Sequence, residues 1–545
     1  MRPFCIRNFL FPPTNCDKQE TWQFWTMPGQ SALVMPSTTK AVKVAVDAVS
    51  GTAPGLRANA IGLREVLFQS ITGMAPAAAV TASIPAGAGF AGGSMPLAVL
   101  IALVACLFSA SSIGLLAREM PAAGSLATYA ARGIHPAAGF LTAWGYILVA
   151  VLIPPLVLLQ LGFTVAGTIN SYWSSYPASL WWPWAILGAL IVLIAGYYGV
   201  RTSARMGTIL GVFEIAVLLV LAVFFIVHAG GHNTLKVFGD GYTSGSYKGI
   251  SGVIAGSVYT VLAFGGFEGA APLAEETKNP RKTVQRAVIF STLGIGIFYV
   301  FTTYAVDVAF GPGKFSTFTI DSSQAASWQG MAKGLYGIFW FFVFLAVVNS
   351  TIANANAGVN VSSRMAYAMG RIKTFPAALA QVSAKHRSPV LAIVTAFLAT
   401  CGVALGLGLG YDPETAFAMV ATGIVLVLIA VYILMNVACI GYFAQARNRA
   451  GARWNVLLYL IFPLLGIAAF VPAWLTAAGI TVFSFVAPLP APIWYMAPGV
   501  GGFMVAGIVY LAYLYMKHPQ RVTEVGLVHL DDEPAAATAV ASAEG

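Results

Sequence analysis

The chain has 545 residues, of which 58% are apolar and only 9% are charged, and its formal net charge is +10. A soluble domain carries about 25% charged residues, so this composition excludes a protein whose whole surface faces water. The length alone would allow about three or four soluble domains, but the apolar content indicates a chain that folds within lipid.

The two ends of the chain are predicted to be tails. Residues 1–60 contain no apolar run long enough for the core of a signal peptide, and we interpret them as a disordered cytoplasmic tail. The alternative is an upstream start codon, with Met27 or Met35 as the true start, so that residues 1–34 would not belong to the protein. Residues 517–545 end in an Ala-rich polar sequence, which is typical of a disordered tail and is also predicted to be cytoplasmic.

Between these tails, residues 61–516 are predicted to form one all-α integral membrane domain with twelve spanning helices. A span needs about 20 mostly apolar residues, and long apolar runs without alternation favour helices over the strands of a barrel. The predicted spans are, in chain order, 66–86, 96–117, 138–167, 182–199, 206–228, 251–273, 287–310, 334–358, 390–409, 415–441, 455–478 and 496–516.

The distribution of Lys and Arg supports this order of spans. With the N-terminus inside, the outer loops hold few basic residues, namely Lys236, Lys248, Lys314 and Lys333. The inner loops hold many more: Arg118, Arg132, Arg201, Arg205, Lys278, Arg281, Lys282, Arg286, Arg364, Arg371, Lys373, Lys385, Arg387, Arg447, Arg449 and Arg453. Basic residues are enriched in cytoplasmic loops, so both termini are predicted to lie inside.

Two of the predicted spans contain residues that interrupt helices. The first span contains Gly73 and Pro76, and the sixth contains Gly265, Gly266 and Pro272. In a helix interior Gly costs about 1 kcal/mol and Pro about 3 kcal/mol. Unwound backbone is tolerated in a membrane only where it lines a cavity inside the protein, and interrupted segments at matching positions of two halves point to the binding site of a transporter. Close packing of helices through small residues is the alternative.

The ends of interrupted helices also suggest a ligand. A helix N-terminus attracts a carboxylate, and a helix C-terminus attracts an ammonium group. A zwitterionic amino acid would therefore suit a site between two interrupted spans.

The sequence of the sixth span resembles that of a known family. The run 264–288, which begins Phe-Gly-Gly-Phe-Glu-Gly-Ala-Ala-Pro, is similar to the sixth-helix signature of the amino acid–polyamine–organocation permeases. The run 118–129 resembles the loop after the second helix of that family, 139–145 the start of its third helix, and 363–371 the exit of its eighth. The resemblance covers about residues 56–516.

This resemblance implies an architecture. Members of the family have a leucine-transporter-like fold with 5+5 inverted repeats and discontinuous helices 1 and 6. Here the repeats would fall at about 66–228 and 251–441, followed by helices 11 and 12 at about 455–516. The substrate carboxylate would meet helix 1 and the substrate amine would meet helix 6. The first break departs from the Gly-Ser-Gly common in the family, because Gly73 is the one glycine of that pair present here.

The substrate-binding residues that follow from the resemblance lie in the two breaks: Thr72, Gly73, Met74, Phe264, Gly265, Phe267 and Glu268. Glu268 matches the Glu of the family's Gly-Phe-Glu and is predicted to gate the site or to lie near the substrate. The alternative is a capping carboxylate that accepts hydrogen bonds from backbone donors freed at the break.

Other polar residues fall within predicted spans, where ionisable groups are functional hypotheses by default. Glu214 lies in the fifth span, where some members of the family have Lys. Desolvation favours a neutral carboxyl group, and a group that exchanges protons near neutral pH suits proton coupling, so Glu214 is predicted to carry the coupled proton. The alternative is a protonated Glu bonded to helix 1 or 8. Asn354 is predicted to line the permeation path, with contact between helices as the alternative, and Asp307 is expected to reach the interface.

Other kinds of function find little support. The five cysteines have no metal-like or redox-like spacing, and no histidine lies in a metal cluster. There is no Walker motif for ATP and no acid–base cluster typical of an enzyme. We therefore expect no catalytic residues, metal, cofactor or nucleic acid.

Taken together, the sequence predicts a secondary active transporter of amino acids in the plasma membrane, which in a bacterium is the inner membrane. It would work by alternating access, as a proton-coupled symporter or an exchanger. A transporter of amines or polyamines is the alternative, although a polyamine pocket would need more carboxylates than Glu268 and Glu214. A sensor or channel on the same scaffold is an alternative from another class. The expected partners are an amino acid or amine, the proton and the lipid bilayer.

Overall fold

The computed structural model describes residues 61–122, 124–198, 204–243, 245, 247–371, 376–382, 388–450 and 454–518. These residues belong to one compact unit. The predicted tail at residues 1–60 lies outside the described residues, as does all but the first two residues of the predicted tail at 517–545.

The described residues form helices and no strand, which confirms the prediction of an all-α membrane protein. In this part of the chain 11 helical segments are long and apolar enough to cross a membrane, and a shorter apolar helix lies at the fourth predicted span. We number these segments in chain order as α1 Leu63–Ser83, α2 Pro85–Glu119, α3 Pro136–Tyr172, α4 Trp182–Tyr198, α5 Gly207–His232, α6 Ile250–Ala274, α7 Pro280–Phe310, α8 Phe339–Tyr367, α9 Val390–Gly410, α10 Pro413–Gln445, α11 Leu457–Ala478 and α12 Ile493–Lys517.

The limits of several predicted spans differ from those of the helices. The prediction ended the first span at 86 and began the second at 96, whereas α1 ends at Ser83 and α2 begins at Pro85. The prediction began the eighth span at residue 334, but that residue belongs to a separate helix, Trp328–Tyr336. Gly337 has φ +54° and turns the chain before α8 begins, a conformation that glycine adopts without steric cost. The third span is also longer than predicted, because α3 contains 37 residues and continues through Pro154 and Pro155.

The first break lies within α1. An α-helix, Leu63–Gly73, ends there, and helical structure resumes at Pro76. Ala75, between them, has φ 45° and ψ 67°. Proline lacks an N–H and disfavours the helical conformation of the residue before it. Pro76 therefore explains why the helix cannot run through this point, as the sequence predicted.

The second break lies within α6. Its α-helical part, Ile250–Phe264, ends at Gly265, and a 3-10 helix, Phe267–Glu276, follows. Gly266 joins them with φ +117°. A Cβ atom at Gly266 would lie 2.5 Å from the carbonyl carbon of Gly73. The two breaks therefore touch through their backbones, and glycine is required at position 266 by both conformation and space.

Candidate functional site

The two interrupted helices are held together where they break. The Ser70 hydroxyl of α1 donates a hydrogen bond to the carbonyl oxygen of Phe267 in α6, at 3.0 Å. The hydroxyl of Tyr299, on α7, lies 3.0 Å from the carbonyl oxygen of Met74 and 3.1 Å from that of Ala263. One buried tyrosine thus contacts carbonyl groups freed at both breaks.

Side chains from two other helices, α3 and α8, contact the break in α1. Asn354 of α8 donates its amide to the carbonyl oxygen of Gly73 at 2.9 Å. The backbone N–H of Ala78 donates to the Ser350 hydroxyl of α8 at 3.3 Å. Gln160 of α3 donates to the carbonyl oxygen of Ala78 at 3.0 Å. Backbone groups that the interruption leaves without helical partners are therefore bonded to neighbouring helices.

Glu214 lies where α1, α5 and α8 meet, and its side chain is only 3% exposed. One carboxyl oxygen accepts a hydrogen bond from the backbone N–H of Ala77 at 3.4 Å, and the other accepts from the amide of Asn349. Ser350 also lies within hydrogen-bonding reach. Glu214 therefore bonds to both α1 and α8, the two helices named in the alternative to proton coupling.

Glu268 occupies the corresponding position at the break in α6, and it is 2% exposed. Its carboxyl group accepts one hydrogen bond from the Tyr146 hydroxyl of α3 and one from the Tyr432 hydroxyl of α10, both at 2.9 Å. It also accepts the backbone N–H of Gly266 at 3.1 Å. Glu268 thus caps the break in its own helix and joins that break to α3 and α10.

A second polar cluster continues from Tyr432 towards α2. The Asn436 amide donates to the Tyr432 carbonyl oxygen at 3.1 Å and to the Ser109 hydroxyl at 2.7 Å. The Ser112 hydroxyl donates to the Asn436 side-chain oxygen at 2.7 Å. These buried hydrogen bonds tie α2 to α10 beside Glu268.

The structure brings together the predicted substrate-binding residues of the two breaks. Phe264 is buried edge-to-face against Tyr299, with ring centroids 5.4 Å apart, and Phe267 packs against Tyr432 at 5.0 Å. Gly265 packs on Leu428, which lies 2.9 Å from the position of an added Cβ atom. Both aromatic rings therefore pack on tyrosines that also bond to a break.

The predicted residues of α1 contribute carbonyl groups rather than open backbone donors. The N–H of Met74 donates to the carbonyl oxygen of Ser70 at 3.1 Å, and the N–H of Ala75 donates to that of Thr72 at 3.1 Å. The oxygens of Gly73 and Met74 accept from Asn354 and Tyr299. In this arrangement the chain itself occupies the groups that would contact a substrate carboxylate.

Several residues at the site were missed by sequence reasoning. Tyr146, Tyr299 and Tyr432 lie in apolar spans, where tyrosine is common and gives no signal of its own. Gln160 and Asn436 gave a detectable signal, because an uncharged amide within a membrane span usually faces another helix. Their partners lie far away in the sequence and could not be predicted.

The expectation for Asp307 is wrong. This residue lies near the end of α7, but its side chain is fully buried, at 0% exposure, and does not reach an interface. Neither carboxyl oxygen has a hydrogen-bond partner among the residues that the structure describes. The limits of the span predict how deep Asp307 lies in the membrane. The exposure of its side chain also depends on how α7 is rotated about its axis.

The described part of the chain contains no group of three or more His, Cys, Asp or Glu residues that could hold a metal ion. The polar groups at the two breaks are instead carboxyl, amide, hydroxyl and backbone carbonyl groups. Such groups suit hydrogen bonding to a small organic molecule or exchange of a proton.

Comparison with known proteins identifies the family. A sequence model described as amino acid permease matches residues 65–518. The chain is 27% identical over 385 residues to the low-affinity putrescine importer PlaP of Escherichia coli K12. The matched region covers 69% of this chain and 80% of that protein. It is also 27% identical over 368 residues to the branched-chain amino acid permease BcaP of Bacillus subtilis, covering 64% and 75% of the two chains.

Another relative is named for a different class of substrate. The dicarboxylic amino acid permease of Saccharomyces cerevisiae is 27% identical over 335 residues, covering 57% of this chain and 54% of that protein. The relatives are thus permeases of amino acids or putrescine rather than enzymes. Together with the apolar helices described above, the match across most of the chain shows that this protein belongs to the amino acid permease family of multi-pass membrane transporters.

Proposed function

We propose that this permease is a secondary active transporter that carries amino acids across the plasma membrane by alternating access. The observation that carries the proposal is the direct contact between two interrupted helices, where Gly73 of α1 meets Gly266 of α6. Paired interruptions of this kind form substrate sites near the membrane midplane in secondary transporters. Thr72, Gly73, Met74, Phe264, Gly265, Phe267 and Glu268 would surround the substrate.

The architecture proposed for this transporter has twelve spanning helices. Inverted repeats at about 66–228 and 251–441 would place α1 and α6 at matching positions, with α11 and α12 outside the repeats. The excess of Lys and Arg in alternate loops supports a cytoplasmic location for both termini. One contact is consistent with this arrangement, because Arg281, at the start of α7, donates to the carbonyl oxygens of Arg118 and Glu119 at the end of α2.

The surroundings of Glu268 favour a neutral amino acid over a polyamine. A polyamine site needs carboxylates that are free to bind cationic groups, but Glu268 already accepts hydrogen bonds from two tyrosine hydroxyls and one backbone N–H. Asn354 and the hydroxyl groups nearby are uncharged, and they suit the carboxylate and ammonium groups of a zwitterion. The similarity to PlaP, a putrescine importer, keeps an amine such as putrescine as the second candidate substrate.

Glu214 is the group that we propose for proton coupling. Its carboxyl group accepts the N–H of Ala77, in the second half of α1. Protonation changes a carboxylate from an acceptor of hydrogen bonds into a donor as well, so it would alter a contact that holds this half-helix. Proton binding would thereby be linked to the position of α1. Asn354, whose amide donates a hydrogen bond to the break in α1, would line the permeation path.

Counterflow into proteoliposomes tests this function. The purified full-length protein would be preloaded with one unlabelled compound at a time, from a panel of amino acids and amines, and uptake of the same labelled compound would be measured. We expect saturable counterflow with at least one neutral amino acid. Non-saturable flux would instead indicate a channel, and binding without flux would indicate a sensor. A thermal-shift screen of the same panel at two pH values would separate a channel from a sensor.

Two glycine variants provide a matched control for the site. Gly266→Ala places a methyl group against the backbone of α1, whereas Gly402→Ala, in α9, places one where no atom lies within 4 Å. We expect the first variant to lose counterflow and the second to keep it. Equal activity of the two variants would contradict the proposed location of the site.

A further inference from the structure

Asp307 is a buried carboxyl group for which the proposed transport mechanism has no use. It lies on α7, has no exposed surface and accepts no hydrogen bond from the described residues. An isolated ionised carboxylate is very costly in an apolar interior, so the group must be neutral, and therefore protonated, in this conformation.

The end of α7 that carries Asp307 is closed over by other parts of the chain. Gly93, near the start of α2, packs so closely on Pro312 that an added Cβ atom would lie 2.4 Å from the carbonyl oxygen of Pro312. Val308, next to Asp307, belongs to a buried apolar cluster with Ala229 and Val237. This end lies opposite the loops rich in Lys and Arg, so in the proposed topology it faces the exterior.

Among the described residues of these packed elements, no charged group is buried with Asp307. On α7 itself the nearest titratable side chain is Tyr304, whose hydroxyl lies 3.4 Å from the side-chain oxygen of Asn233. Tyr242 lies in the loop that contacts Gly92 and Gly93. The charged or titratable residues at the ends of the surrounding elements are exposed to solvent: His228, His232, Lys236, Asp240 and Lys314. Within the closed structure, therefore, no other charged group among the described residues can pair with the Asp307 carboxylate in place of a proton.

The same helix connects Asp307 to both breaks. Tyr299, whose hydroxyl contacts Met74 of α1 and Ala263 of α6, precedes Asp307 by about two helical turns, or about 12 Å of helix. A movement of the outer end of α7 would therefore be transmitted along a continuous helix to the proposed substrate site.

We propose that Asp307 is a proton-operated lock on the outer end of α7. This end closes against Gly92–Ser94 only after the Asp307 carboxylate has taken a proton from external water, and opening returns the proton to the same water. The proton is bound and released on one side, so it is not counted among the protons carried with substrate. The proposal rests on the proposed transport function and adds an external pH sensor that is separate from Glu214.

The test compares Asp307→Asn, which resembles the protonated acid in shape and charge, with wild type and with Asp240→Asn, an exposed control. Counterflow is measured in proteoliposomes at fixed internal pH while the external pH is raised. Relative to Asp307→Asn, we expect the wild type and the control to slow further by up to about tenfold per pH unit, the limit for one bound proton. Asp307→Asn should keep only the pH dependence that Glu214 confers. A decline equal to that of wild type would overturn the proposal.

A second measurement tests the lock without measuring transport. Hydrogen exchange of the purified protein, corrected for the chemical effect of pH, should become faster around residues 92–98 and 304–314 at alkaline pH in wild type and remain constant in Asp307→Asn. If Asp307→Asn does not fold, Asp307→Ser replaces it with the same expectations. If hydrogen exchange at these residues does not change with pH in wild type, the lock is overturned. If the wild type gives no counterflow with any compound, the transport function is overturned instead.

Discussion

The breaks in α1 and α6 touch each other, but they are stabilised in different ways. The break in α6 is capped from within its own helix, because Glu268 accepts the N–H of Gly266 and is then fixed by tyrosines of α3 and α10. The break in α1 has no such internal cap and depends on Glu214, Ser350 and Asn354 from α5 and α8. The comparison indicates that α6 supplies one cap of its interruption from its own chain, whereas the position of α1 depends more on its neighbours.

Gly266→Ala should have the largest effect, because it affects both breaks at once. The left-handed backbone at this position would cost about 1–2 kcal/mol with a side chain, and the methyl group would also push against the carbonyl of Gly73. We expect loss of uptake and a lower unfolding temperature in detergent, with Gly402→Ala unchanged. A Gly266→Ala variant with normal uptake would show that the contact between the breaks is dispensable.

Glu268→Gln tests the internal cap of α6. The carboxyl group accepts from three donors, and an amide can keep only part of that acceptance, so at least one donor loses its partner. Leaving a buried polar group unpaired costs about 1–3 kcal/mol. Thermal unfolding should reveal this loss, with smaller losses in Tyr146→Phe and Tyr432→Phe. If all three variants were as stable as wild type, Glu268 would not be the cap.

Glu214→Gln tests whether α1 responds to a proton. The amide keeps an oxygen that can accept from Ala77 but does not titrate, so we expect exchange to persist while concentrative uptake driven by a proton gradient disappears. In wild type, at a fixed external pH that keeps the state of Asp307 constant, uptake should rise as the internal pH is raised, because release of the proton from Glu214 to the inside would be favoured. Concentrative, pH-driven uptake by the variant, measured in proteoliposomes, would exclude Glu214 as the coupling group.

Asn354→Ala should have the smallest effect of the four. It removes one hydrogen bond to the carbonyl oxygen of Gly73, worth about 1 kcal/mol, and we expect KM for uptake to rise several-fold with little change in stability. Asn360→Ala, farther along the same helix, is the control. Equal KM values for the two variants would indicate that Asn354 joins helices without facing the permeation path.

Much of the fold could be predicted from the sequence because its causes are local. Pro76 and the pair Gly265 and Gly266 weaken a helix at their own positions, and the apolar runs located the segments that became α1–α12. The partners of the two breaks depended on contacts between distant residues. Glu268, for example, bonds to Tyr146 and Tyr432, and no local pattern distinguishes these tyrosines from others that face lipid.

Asp307 shows a different reason for failure. Its position near the end of a span suggested contact with the interface, but the rotation of α7 and the loops packed over it determine its burial. A helical pattern gives the relative directions of residues on one helix, whereas it does not give the direction of neighbouring helices. Predictions of depth were therefore more successful than predictions of which side chains face each other.

Hydrogen exchange with and without substrate tests the central claim most directly. The purified protein would be measured with the amino acid that gives the strongest counterflow and with one that gives none. We predict slower exchange in peptides that cover both residues 66–80 and 262–272 with the first compound alone. Protection confined to other helices, with both of these segments unchanged, would contradict a substrate site between α1 and α6.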